Sequence, residues 1–130
     1  MHLKSYFRAA FLTALSVLSF HVVGTILFLY SYYWWYDIPL HWLGGLSAGF
    51  TSLAIMSRAG RFVSRPFGVA LVGAFIFGVF WELFEYYAGI TQNTIGSYPL
   101  DTLKDLGMDV LGGCTAFVTV VIYRHQNKLQ

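Results

Sequence analysis

The chain has 130 residues, of which 57% are hydrophobic and 11% charged, and its mean hydropathy is +0.60. Soluble domains carry about 25% charged residues, so this composition falls outside the water-soluble class and describes one domain, 1–130, whose solvent is lipid. The net charge of +2 comes from few, scattered basic residues beside apolar runs, which leaves no footprint for nucleic acid.

A hydrocarbon core is crossed by about 20 apolar residues in a helix, and four such runs follow one another. The first covers about 9–30, behind the basic head "MHLKSYFR". It is longer than a signal-peptide core and is followed by no small-x-small cleavage site, so it is read as a retained span. His21 lies in its middle with no acid on the same helix, the pattern of a hydrogen-bonded packing residue. The run "YYWWY", 32–36, supplies amphipathic rings for an aromatic belt at a membrane boundary; a stacking platform for a quinone or sugar is the alternative.

The second span covers about 38–56. It opens on "DIPLH", where Asp37 two residues before Pro39 is suited to an N-cap and His41 stands four residues on, over the same helix face. "GGLSAG" then places Gly45 and Gly49 four apart, a spacing that lets helices approach closely. Arg58, Arg61 and Arg65 fill the connection to a third span over about 67–87, with Gly68, Gly73 and Gly78 along it and "WELFE" near its end. Glu82 and Glu85, three apart, are neighbours on one face. The uncharged stretch "GITQNTIGSYPL", 89–100, is long enough to cover that end as a lid.

The fourth span, about 102–123, begins inside "PLDTLKDLGMDVLGG". Asp101, Asp105 and Asp109 recur every four residues and drift about 40° per step, so Asp105 and Asp109 face shared neighbours while Asp101 can serve as a cap. Lys104 can pair with Asp101 or Asp105 or point to headgroups. Gly112 and Gly113 are packing positions, and the single Cys114 is a small buried hydrophobe with no disulfide partner. His2 and His125, in the tails, carry no signal. Alternation with period 2 is absent, so the expected fold is all-α: a polytopic membrane protein with four transmembrane helices in a bundle.

Charge orients it. Lys4, Arg8, Arg58, Arg61, Arg65, Arg124 and Lys128, seven of the eight basic residues, fall on one side of a four-span topology. The positive-inside rule assigns that side, with both termini, to the cytoplasm, and the membrane is the plasma (inner) membrane. The six acids all fall in the other half. At about 1.5 Å per residue, His41, Glu82, Asp105 and Asp109 share a layer below the outer interface, with Asp37, Glu85 and Asp101 at its rim.

Acids crowded in lipid repel and must be compensated. A divalent cation such as Mg, Mn or Zn does so with hard oxygen ligands and one imidazole, drawn from Asp37, His41, Glu82, Glu85, Asp101, Asp105 and Asp109. The other solution is protonated acids sharing hydrogen bonds. The deeper four, His41, Glu82, Asp105 and Asp109, are the candidate catalytic groups.

"DIPLHWLGG", "WELFE" and "DTLKDLGMDVLGG", in that order over 37–113, resemble the YjdF-type bacterial inner-membrane proteins. More distantly, the D-x-x-x-H of Asp37 and His41 resembles the VanZ-like family linked to glycopeptide resistance. The resemblance implies a small polytopic membrane protein whose pattern residues are the seven above. Four helices are fewer than YjdF-type members usually have, which implies a homo-oligomer if the site is completed between subunits. Three functions follow: a metal-dependent enzyme acting on a lipid or lipid-linked phosphate at the outer leaflet, a proton or ion transport protein, and a non-catalytic lipid-binding resistance factor.

Overall fold

A computed structural model describes residues 3–58, 66–90 and 96–126. Arg61, Arg65, Lys128, His2 and the middle of the predicted lid lie outside the described residues. Every element described is helical: α1 (Leu3–Ile26), the short α2 (Leu29–Tyr32), α3 (Asp37–Arg58), α4 (Pro66–Ala88) and α5 (Tyr98–Gln126).

The limits differ from the expected spans in two places that matter. The first span does not continue to Tyr30. It ends at Ile26, and Phe28 takes a left-handed backbone conformation with φ 55°. That turn folds 27–36 back over α1. Tyr36 fills the space that Gly24 leaves by lacking a Cβ, and its hydroxyl donates to the Phe20 carbonyl at 2.7 Å. Tyr36 is therefore buried, and only Tyr32, Tyr33, Trp34 and Trp35 of the expected belt are exposed. The second difference is at the last helix, which starts at Tyr98. The Ser97 carbonyl accepts the first helical bonds, from Leu100 and Asp101 N–H at 3.1 and 3.0 Å, and Pro99 is tolerated in a first turn, where no intrahelical donor is lost. Asp101 thus lies inside the helix and is not its N-cap.

Length and apolarity suffice for membrane crossing in Lys4–Ile26, Pro66–Ala88 and Tyr98–Gln126. α3 is of similar length but less apolar than α1 and α4, and it is the helix that packs against α1, α4 and α5 at once. The radial distribution of side chains inverts that of a soluble protein. Ala54, Ala70, Ala74 and Ala116 are completely buried, while Phe11, Leu12, Phe80 and Leu103 are more than 60% exposed. Large apolar groups outside and small ones inside are what hydrocarbon solvent requires, because helices there associate by close packing.

Gly45 and Gly112 show how close. A Cβ on Gly45 would collide with the Asp109 backbone carbonyl, and one on Gly112 with the Trp42 carbonyl. Backbone therefore lies on backbone at this crossing of α3 and α5. One turn further, a Cβ on Gly49 would come within 2.9 Å of the Ala116 Cβ. Polar pins add to the packing: Trp42 Nε1 donates to Thr115 Oγ1 at 3.2 Å, Ser47 Oγ to the Ala10 carbonyl at 3.0 Å, and Arg124 Nη2 to Tyr6 Oη at 2.9 Å.

Gly45→Ala and Gly112→Ala should each lower unfolding stability by about 1–3 kcal/mol or more, the cost of overpacking against atoms that cannot retreat. Gly107→Ala is the control, since Gly107 is exposed with nothing near its Cβ position; it should be neutral or gain up to about 1 kcal/mol of helix propensity. Denaturant titration in detergent micelles, followed by tryptophan fluorescence, measures all three.

Candidate functional site

Asp37, His41, Glu82, Asp101, Asp105 and Asp109 are the buried acids and histidine among the described residues, and they form one cluster. α3 contributes the first two from adjacent turns of its N-terminal end. α4 contributes Glu82, and α5 the three aspartates, whose four-residue spacing keeps them toward α3 and α4.

His41 is the hub. Its Nδ1 lies 3.2 Å from Asp109 Oδ2 in a hydrogen bond, and Asp109 has room for its carboxylate because Gly78 presents no Cβ there. Its Nε2 faces three other carboxylates, Asp37 Oδ2 at 3.6 Å, Glu82 Oε1 at 3.9 Å and Asp105 Oδ1 at 3.9 Å. These separations exceed a hydrogen bond. They approach the spacing, roughly 3–3.5 Å, of two ligands that each sit about 2.1 Å from one ion. One ligand atom each from Asp37, His41 and Asp105 lie within 4.8 Å of one another.

Glu82 adds an independent sign. Its side chain is only 7% exposed, and Thr102 Oγ1 donates to Oε2 at 2.7 Å. Oε1, aimed at the His41 Nε2, has no hydrogen-bond partner. A buried carboxylate oxygen without a partner is costly, and a cation between it and the imidazole would satisfy it.

Lys104 supplies the internal positive charge. Its Nζ lies 2.8 Å from Asp101 Oδ1, 3.0 Å from Asp105 Oδ1 and 3.7 Å from Asp37 Oδ2, so it points into the cluster and not to headgroups. With every group ionised and His41 protonated, the five buried carboxylates still outweigh Lys104 and His41 by three charges. A divalent ion would offset two of them.

The expected two-layer arrangement is therefore redrawn. Asp37 and Asp101 are buried, at 8% and 4% exposure, and belong with the deeper group; the reason is that α5 starts a turn early and Lys104 draws both acids inward. Glu85 differs in burial, although it lines the same small cavity as Asp37, His41 and Asp109. It is half-buried and accepts from Trp81 Nε1 at 2.8 Å. Lys104 and Thr102 are site residues that the sequence reading did not assign. Their signal is positional: Lys104 stands three residues after Asp101 and Thr102 three before Asp105, the spacing that makes neighbours on a helix surface. His21 is hydrogen-bonded as expected, with Nδ1 2.7 Å from Tyr30 Oη.

An all-helical protein with apolar side chains outward, three helices able to cross a bilayer and its ionisable groups gathered inside is an integral membrane protein. The chain belongs to the DUF2238 family of predicted membrane proteins, whose family model matches residues 5–126. The YjdF-type resemblance is consistent with that membership, and nothing in the comparisons supports the VanZ-like one. No curated protein and no solved structure matches the chain.

Lys104→Met should destabilise the protein by about 3–5 kcal/mol, because it strands buried carboxylates without their ammonium. Adding Asp105→Asn should restore part of that loss. Unfolding titrations of the single and double variants in one detergent test the coupling; strictly additive losses would show that Lys104 and Asp105 do not act as a pair.

Proposed function

We propose that the chain is a four-pass protein of the plasma (inner) membrane, both termini cytoplasmic, that holds a divalent cation near its outer end. The reaction served by the cation is on the phosphate of a lipid or lipid-linked substrate. The observation that carries this reading is the convergence of Asp37, Glu82 and Asp105 oxygens on His41 Nε2, with Glu82 Oε1 buried and unpartnered.

Asp37, His41, Glu82 and Asp105 are the ligands in this reading. When bound there, a divalent ion would supply Lewis-acid chemistry toward a phosphoryl oxygen and a water. Asp109 takes a different role from the one its depth first indicated. Its contact with His41 Nδ1 fixes the ring orientation, as carboxylates behind metal-bound histidines do. Lys104, already among the acids, holds Asp101 and Asp105 in place and presents a cation to an incoming phosphate. Mixed carboxylate and imidazole donors favour Mn or Zn over Mg.

Membrane passage of α3, which is less apolar than α1 and α4, is supported by its enclosure among α1, α4 and α5. The orientation is supported by the described basic residues Lys4, Arg8, Arg58 and Arg124, which lie at the helix ends opposite the acids. Transport is the weaker reading. Past Asp109, the buried positions of α5 are Gly112, Gly113, Ala116 and Val120, and no acid continues a path toward the other end.

Elemental analysis of the purified protein should find about one divalent ion per chain. His41→Ala and Glu82→Gln should each weaken binding at least tenfold by titration calorimetry, and Asp109→Asn about tenfold, the usual cost of losing an orienting partner. Phosphate release from phospholipid vesicles is the activity readout. No ion above background in the wild-type chain would end the metal reading.

A further inference from the structure

α1 and α4 both lean on α3, and between them a groove of about 620 Å³ runs along the side of the molecule. Ala14 and Leu18 of α1 form one wall, Ile76 and Phe80 of α4 the other, and Ala48 of α3 lies at the base. Two of the hydroxyls along this base use their protons within the protein: Ser47 Oγ donates to the Ala10 carbonyl and Thr51 Oγ1 to the Ser47 carbonyl. The lining offers contact to hydrocarbon and little to anything polar. Leu18 and Phe80 are also among the exposed large apolar residues, so the groove's open side is continuous with the surface that faces lipid.

One end of the groove differs. Val17, His21, Gly44, Phe77 and Trp81 line both the groove and a smaller cavity of about 40 Å³, which reaches Asp37, His41 and Asp109. An apolar trough open to the bilayer thus leads to an ionisable pocket. Few occupants match both halves. A helix from a second copy would cover the trough and leave the pocket unused, whereas a lipid has a chain for one and a polar head for the other.

We infer that the groove between α1 and α4 binds one acyl chain of a phospholipid and directs its phosphate toward the His41 cavity. The direction of the head rests on the cation reading above; the seating of the chain rests on the groove alone. The lipid enters sideways from the leaflet, with no passage through water.

Phosphatidylglycerol vesicles containing a lipid with a photoactivatable diazirine on one acyl chain supply the probe, and adducts are mapped by mass spectrometry. Labelling at Leu18, Ala48 and Phe80 should saturate with probe concentration. Ala14→Trp and Ile76→Trp, both at exposed positions that the fold tolerates, should fill the groove and cut that labelling about tenfold, equivalent to 1.4 kcal/mol. Even, unsaturable labelling of every outward face, unchanged by either substitution, would mean surrounding lipid only and overturn the inference. Crosslinks between copies through Leu18 and Phe80 would overturn it too, by assigning the groove to a second chain. Cation content measured on the same samples separates the two readings. Saturable groove labelling without a bound ion keeps the chain site and removes the cation, and the opposite pattern removes the groove.

Discussion

The crossing of α3 and α5 at Gly45 and Gly112 is the contact on which the rest of the structure depends. With backbone against backbone, the two helix axes are brought too close for any side chain to lie between them. One turn toward the acidic end, that spacing brings His41 within 3.2 Å of Asp109. A methyl group at either glycine would part the helices, and His41 and Asp109 would lose contact before any ionisable residue had changed. The site's geometry is thus set by residues that have no chemistry of their own.

The same crossing explains how so polar a helix sits in this chain. α3 carries Asp37, His41, Ser47, Thr51 and Ser52, and it is surrounded by α1, α4 and α5. Its polar groups are largely satisfied within the protein: Ser47 reaches α1, His41 reaches α5, Thr51 bonds back to the Ser47 carbonyl, and Ser52 occupies the space left by Gly73 of α4. Polar side chains in lipid are tolerated where they face the interior of a bundle. Here α1 and α4 supply most of the apolar surface, while α3 and α5 carry most of the acids and turn them toward each other.

Much of this was legible in the residues themselves. Apolar runs of membrane-crossing length gave the helices, since hydrocarbon leaves the backbone no other open solution. Four-residue spacing gave the shared face of Asp105 and Asp109, and it gave the stacking of Asp37 with His41. What could not be read was anything that depends on how far a helix extends or how the chain turns. The left-handed Phe28 and the inward turn of Tyr36 arise from packing against Gly24, a contact no local pattern announces. The early start of α5 moved Asp101 from a cap into the cluster. Lys104 was undecided for a related reason: a lysine near a helix end can snorkel outward as readily as pair inward, and only the convergence of Asp37, Asp101 and Asp105 around it settles the direction.

The position of the cluster limits what kind of chemistry it can serve. All six acids belong to one half of the molecule, and beneath Asp109 the bundle is closed by Gly112 against Trp42 and Leu46, Gly113 against Ala70 and Ala74, and Ala116 against Gly49. Small residues packed this tightly leave no column of water and no row of donors, so charge that reaches His41 has nowhere further to travel along the axis. The openings that remain are at the acidic end, nearest Asp37 and Asp101, and at the side, where the His41 cavity adjoins the groove between α1 and α4. A site closed below and open to both headgroup and hydrocarbon is arranged for a molecule that has both parts.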